Sequence, residues 1–408
     1  MKRVYITTAL TCLVIMAGFI LCFRLMNLSG GKDHLTVGFI YDNDESTPYT
    51  YNFSLAGDEL KRVYGERVTI ETCSNVLDDD MEEPIRELAQ KGCDIIFFNG
   101  YSELVRKLAP EYPEIQFCQT SYMDMYGQSV PANYHTFKGE AYQGRYVSGI
   151  AAGVKLRQMI LEGIISEDEA IVGFVAAFPT SEVISGYTAY LMGVRSVVSQ
   201  AVMHVCYTGS WSSYALEKNA AQHLIDEGCV ILSQHTDTIG PAIACEQAFE
   251  EHPVYFVGYN QSMSEVAPAA SLITFRICWE PYVLGAVDAV FKDEEIESVV
   301  QGKIHGTDMS AGFDKGWVEM DDLNELAAAP GTEDAMKDAI ERFKRGNGDF
   351  VYRGNYTGVN PDDPSDTIDL RKGYIENANT SYPLFHYILT DIITVDDEYN
   401  GISDKNDL

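Results

Sequence analysis

The sequence predicts an α/β protein of two similar lobes, each a parallel sheet flanked by helices, with a hinged cleft between them. Three observations carry that expectation. Short apolar strands alternate with helical stretches, the alternation restarts about 135 residues further on, and glycines stand at matching helix-to-strand joints in both halves. Strands separated by helices of this length need crossover connections, which build parallel sheets.

The first half reads in order. Leu35–Tyr41 (LTVGFIY) is a short apolar strand. Phe53–Tyr64 carries Leu55, Leu60, Val63 and Tyr64 near one helical stripe. A strand at Val68–Thr72, a helix near Met81–Lys91, a strand at Asp94–Asn99, a helix at Ser102–Tyr112 and a strand at Ile115–Gln119 follow. The second half repeats the plan. Val37-Gly38-Phe39 returns 135 positions later as Val172-Gly173-Phe174. Gly92-Cys93 returns as Gly228-Cys229, and Pro113 before one strand matches Pro253 before another. Each glycine ends a helix just before a strand, where a left-handed residue is wanted. Between the halves lies a long helix, Ala141–Glu162, whose small residues would let it approach a sheet closely. A further helix spans Tyr282–Phe291.

The expected domain limits are 1–31 for an export signal or membrane anchor, 34–138 plus about 261–275 for the first lobe, 139–260 plus about 276–345 for the second, and 346–408 for a C-terminal extension. The end of that extension, from Asp396, is rich in Asp and Asn and reads as a disordered acidic tail. Lys2 and Arg3 precede an apolar run from Val4 to Phe23, closed by Arg24. That run is long enough to remain as an anchor, or to be cut and lipidated at Cys22. Either way the remainder faces outward from the cytoplasmic membrane. The formal net charge of −32 argues against nucleic acid and anionic lipid as partners, because both need clustered Lys and Arg. No Cys/His spacing resembles a zinc site, and the cysteines in apolar runs read as small core residues.

In open parallel sheets, ligands bind beyond the carboxyl ends of the strands. With two such sheets face to face, the loops after the strands meet at a cleft. In the first lobe these loops hold Asp42 to Tyr51, Tyr101 and Ser121. In the second they hold Phe178, Trp211, the run Gln234 to Asp237, and Asn260. Aromatics recur in nearly all of them. Two rings facing across a cleft would stack on a planar heterocycle, and Asp or Asn beside them can take its N–H groups or sugar hydroxyls. His235 and His204 read as structural.

Several short runs then resemble one family. They are Tyr49-Thr50-Tyr51, the stretch Glu140–Tyr146 (EAYQGRY) leading into Gly149–Gly153 (GIAAG), Val172–Pro179 (VGFVAAFP), Gly209-Ser210-Trp211, Gln234–Asp237, Val257–Asn260 and Trp279–Tyr282. Together they resemble the basic membrane protein (Med-like) family of ABC-transporter substrate-binding lipoproteins, in its purine- and nucleoside-binding branch. The resemblance covers roughly Leu35 to Trp317. It implies a type I periplasmic-binding-protein fold of two Rossmann-like lobes, a ligand in the cleft, and no catalysis, cofactor or metal. It also implies partnership with a permease and an ATPase, and a monomer held at the membrane by its N-terminal segment. Position by position, it implies base-stacking rings at Tyr49 and Trp211 and a base- or sugar-contacting carboxylate at Asp237. Asn260 and Ser121 stand where nucleoside binders carry acidic residues, which favours a free base over a nucleoside. A family lysine before the Trp279–Tyr282 run has its nearest counterpart in Arg276.

No nucleophile elbow, phosphate loop, HExxH zinc motif or dinucleotide fingerprint occurs. A nucleoside hydrolase would need a metal-bearing or acidic cluster, and Asp42 with Asp44 are the candidates. A ligand-sensing ectodomain coupled to a membrane partner would share the same fold and cleft.

Overall fold

The computed structural model describes residues 31–121, 130–321 and 323–396. The expected export segment with Cys22 and the tail from residue 397 lie outside the described residues. Among the described residues, no helix is long and apolar enough to cross a membrane.

The first lobe opens with β1 (Leu35–Ile40), α1 (Pro48–Tyr64), β2 (Val68–Cys73), α2 (Glu82–Gln90), β3 (Ile95–Phe98), α3 (Glu103–Leu108), β4 (Gln116–Thr120) and β5 (Tyr134–Gly139). The second follows with α4 (Ala141–Leu161), β6 (Ile171–Ala176), α5 (Ser181–Arg195), β7 (Val202–Tyr207), α6 (Tyr214–Asp226), β8 (Ile231–His235), α7 (Gly240–Phe249), β9 (Tyr255–Tyr259) and β10 (Ser271–Ile277). The sheets repeat one order, β2-β1-β3-β4-β5 and β7-β6-β8-β9-β10, and every pairing in these runs is parallel. The duplicated plan is thus one of topology as well as sequence.

The chain then returns to each lobe. Helices α8 (Glu280–Lys292) and α9 (Ile296–Val299) pack on the first core, and β11 (Lys303–His305) and β12 (Asp308–Ala311) extend the first sheet beyond β5. β13 (Val318–Asp321) pairs antiparallel with β10, and α10 (Thr332–Lys344) covers the second core. These returns reverse the expected domain limits. The stretch about 261–275 feeds β10 of the second sheet, and most of 280–311 belongs to the first lobe. The reason is geometric: β10 is the fifth strand of the second plan, so the crossing comes after Ile277.

Three segments cross between the lobes side by side, at Gly139, Ile277 and Trp317. The Cys278 amide donates to the Trp317 carbonyl at 2.8 Å, and Glu140 N to Ala311 O at 2.8 Å. A Cβ on Gly139 would lie 2.6 Å from Ile277 Cγ2 and 3.1 Å from Trp317 O, so only glycine lets the crossings close up. Helix α4 uses its small residues differently from expectation. Gly144 does meet the sheet at Phe275, but Gly149 faces the Tyr190 carbonyl and Gly153 that of Val194, both on α5. The close approach is therefore mainly helix to helix.

As far as Asp396, the C-terminal stretch packs against the second lobe. Tyr352, Leu370, Phe385, Leu389 and Ile393 enter the second core, and β16 (Ile393–Val395) adds a parallel edge beside β7. A short hairpin, β14 (Thr357–Val359) with β15 (Thr367–Asp369), lies between. Buried Glu376 anchors this stretch to the second lobe, accepting from Ser185 Oγ at 2.7 Å and Leu384 N at 2.8 Å. The same stretch reaches the first lobe. Thr380 Oγ1 and Ser381 N donate to Asp308 Oδ2 at 2.9 and 2.7 Å, and the Ser381 and Ser121 hydroxyls bond each other. It forms a strap across the cleft.

Candidate ligand-binding site

In each lobe the strand order reverses beside the first strand, between β1 and β3 and between β6 and β8. Loops leaving such a switch point diverge and open a crevice. The two crevices face each other and enclose a cavity of about 300 Å³, small for a ligand pocket. A roomier groove of about 460 Å³ lies on the outer side of the first lobe, lined by Asp44, Glu45 and Asp58. It involves one lobe only and has Tyr41 as its lone aromatic ring.

Six of the eight expected binding residues line the interlobe cavity: Asp42, Tyr49, Tyr101, Ser121, Trp211 and Asp237. Tyr49 sits in the first turn of α1, which Pro48 opens and Thr47 caps. Its hydroxyl donates to the Asn99 carbonyl at 2.7 Å, and its ring meets buried Trp279 edge-on at 6.0 Å. The ring is thus fixed at both ends. Asp42 is held by Asn99 Nδ2 at 3.0 Å, Thr50 Oγ1 at 3.1 Å and the Asn43 amide at 2.8 Å. Among the described residues these bonds all fall on Oδ1, so Oδ2 keeps acceptor capacity.

Trp211 stands on the opposite lobe, after a turn in which Gly209 takes φ +69°. Its carbonyl accepts from the Asp237 amide at 2.8 Å, which ties the loops after β7 and β8 together. Phe178, Trp211, His235 and Tyr259 form a chain of edge-on ring contacts at 5.6, 6.0 and 5.1 Å. Phe178 does not line the cavity; it braces Trp211 from behind. Asn260 is also away from it. That residue is buried with φ +63°, and its Oδ1 accepts from Asn52 Nδ2 at 3.3 Å, so it joins the hinge region. Ser121 lines the cavity, but its hydroxyl is engaged by Ser381 of the strap.

Sequence reasoning missed several contributors, Lys138, Glu182 and His235 among them. Lys138, on β5, and Glu182, in the first turn of α5, form an ion pair of 2.8 Å from opposite lobes. Both are nearly buried, at 8% and 13% exposure. Lys138, rather than Arg276, is the cation of the cavity. Arg276 is taken up by Glu280 and Glu319 beside the hinge. His235, read as structural, lines the cavity, and its Nδ1 finds no partner among the described residues. The sequence signal available was its place at the end of β8, beside Asp237.

The electrostatics follow from burial. Desolvation, with Arg145 and Lys138 nearby, holds the His235 ring well below its ordinary pKa, so it is neutral. Desolvation pushes Asp237 well up, reinforced by Asp42, Glu217 and Glu182. Asp78, at the rim, is raised to about 6, chiefly by burial and by Asp42. Arg145 lies fully buried behind the cavity, its guanidinium 4.3 Å from the Tyr259 ring centre and 4.8 Å from that of Phe275. The cavity thus offers aromatic rings from both lobes, neutral donors beside the paired Lys138 cation, and carboxyl groups of unequal acidity. Such a set can hold a flat, hydrogen-bonding solute.

Several known proteins are similar to this chain. A purine-binding protein of Brucella abortus is 27% identical over 316 residues, covering 75% of this chain and 82% of that protein. A putative ABC transporter glucose-binding protein of Haloferax volcanii is 26% identical over 293 residues, covering 71% of this chain and 66% of that protein. Among solved structures, an ABC transporter solute-binding protein of Aeropyrum pernix matches with a TM-score of 0.60 at 16% identity, covering 76% of this chain and 92% of its own. One from Conexibacter woesei matches at 0.58 and 17%, covering 76% and 97%. These two structural likenesses establish the type I periplasmic-binding fold. Residues 35–344 match the family described as PnrA-like ABC transporter substrate-binding proteins. With that match spanning most of the chain, the protein belongs to the PnrA-like family, an extracytoplasmic substrate-binding component of ABC transporters and not an enzyme.

Proposed function

We propose that the protein captures a purine, as the free base in preference to a nucleoside, and presents it to an ABC permease by closing its cleft. The observation that carries this reading is the pairing of Tyr49 and Trp211, one ring from each lobe, in one small cavity. A planar base between them would gain about 1–3 kcal/mol from each stack. Asp42 and Asp237 can then accept from its ring N–H groups. Two departures weigh against a ribose. Asn260 is turned into the hinge, and the Ser121 hydroxyl is occupied by Ser381. The purine-binding relative from Brucella supports the same class. Membrane tethering by the N-terminal segment, through lipid at Cys22 or an uncut helix, completes the proposal.

Calorimetry of the purified protein against adenine, guanine, hypoxanthine and their nucleosides tests it, with glucose as the competing solute suggested by the Haloferax relative. The expected result is tightest binding by a free base, weakened about 5- to 150-fold in Trp211→Ala. Binding of glucose alone, or a base whose affinity ignores Trp211, would overturn the reading.

A further inference from the structure

We propose that Cys206, His223 and Asp396 form a binding site for a thiophilic divalent cation of the zinc class at the outer edge of the second sheet. These residues are remote in sequence and are brought together by three separate elements. β16 runs parallel to β7 with Val395 beside Val205, and the Asp396 amide donates to the Val205 carbonyl at 3.0 Å. The next residues, Asp396 and Cys206, are therefore neighbours across the strand pair. Helix α6 packs over the same face: Ala220 and Leu224 share a core with Cys206, and His223 lies on the same turn. The ligand atoms, one from each side chain, all fall within 4.8 Å of one another. His223 Nε2 and Asp396 Oδ2 are 2.5 Å apart.

A thiol, an imidazole and a carboxylate form a donor set that suits zinc and discourages calcium or magnesium, which prefer all-oxygen shells. Zinc bonds of about 2.0–2.3 Å in a tetrahedron place ligand atoms about 3.3–3.8 Å apart. The His223–Asp396 contact lies below that spacing, and the 4.8 Å limit on the whole group lies above it. Cys206 is buried in the core, whereas the side chains of His223 and Asp396 are 34% and 26% exposed and can rotate to close on an ion. On binding, a metal–sulfur bond forms as the Cys206 proton leaves to solvent, and the proton shared by His223 Nε2 and Asp396 Oδ2 leaves that nitrogen, through solvent to Nδ1, so that its lone pair can bind the ion; no redox partner is needed. The fourth position stays open to water. Because Asp396 directly follows the last described strand, a bound ion would fasten the C-terminal stretch, and the strap within it, to the second lobe.

The test is a titration of chelator-stripped protein with cobalt(II). The expected result is one cobalt per chain, with a sulfur-to-metal charge-transfer band and the intense visible bands of a tetrahedral site, displaced by zinc(II). Cys206→Ala should abolish the charge-transfer band. His223→Ala, at a partly exposed position, should weaken cobalt binding by about tenfold or more, and it decides the matter if Cys206→Ala does not fold. Zinc should raise the melting temperature of the wild type and not that of His223→Ala. Absence of the sulfur band in the wild type, its persistence in Cys206→Ala, or unchanged cobalt affinity in His223→Ala would each overturn the proposal. Purine binding is measured on the same samples, so a failure of the ligand reading remains separate.

Discussion

Glutamine in place of Glu182 gives the sharpest probe of how the lobes close. The Lys138–Glu182 pair spans the cleft at 2.8 Å. At an effective dielectric near 20, Coulomb attraction at that distance is about 6 kcal/mol. Withdrawing both ions from water takes most of this back, leaving about 1–3 kcal/mol in favour of the closed form. The neighbouring His235 cannot substitute as a counter-charge, since burial keeps its ring neutral. In an open form the two ions separate and hydrate, so the pair acts on the equilibrium between forms and not on either lobe alone. Glu182→Gln should therefore weaken ligand affinity about 5- to 150-fold, and it should enlarge the unliganded protein in small-angle X-ray scattering. The double variant Lys138→Met/Glu182→Gln should lose less than the two single variants combined, because the second change removes a charge already unpaired. Affinity within twofold of wild type, together with unchanged scattering, would refute the role assigned to this pair. An affinity loss without any change in unliganded shape would instead mean that Glu182 touches the solute directly.

Two further outcomes are expected. Asp237 is raised by burial, so its contribution to stability is complete below the unfolded carboxyl pKa and is lost as pH climbs through the folded value. Asp237→Asn should therefore melt higher than wild type near pH 8 and alike near pH 3, by calorimetry across that range. An equal melting difference at both ends would contradict the assignment. At the hinge, Gly139→Ala places a Cβ 2.6 Å from Ile277 Cγ2 and should cost about 1–3 kcal/mol in denaturant unfolding. A neutral result would show that the crossing strands spread freely.

Much of the fold was legible because the repeated residues touch one another. A Cβ on Gly38 would lie 3.2 Å from Cys93 Sγ, and one on Gly173 would lie 3.2 Å from Cys229 Cβ. The two sequence matches in each half are thus one packing unit, and the φ of +78° at Gly92 and +88° at Gly228 supplies the turn into the strand. The rings at Tyr49 and Trp211 were legible for a similar reason: loops after strands of a parallel sheet have one place to go. The return segments were not legible. Strand periodicity is the same in either sheet, so nothing local tells β10 or β12 which lobe it joins. Lys138 hid inside a strand pattern, and its partner lies on the other lobe. Asn260 shows the limit of positional transfer. It occupies the loop expected of a ligand contact, yet its left-handed backbone turns the side chain toward Asn52.

The strap has a consequence for traffic. With Thr380 and Ser381 bonded to Asp308 and Ser121, one rim of the crevice is stitched shut by the chain itself. While those stitches hold, solute can come and go only along the unstitched rim, and exchange becomes a one-door process whose rate depends on how often the three hydrogen bonds at the far side let go.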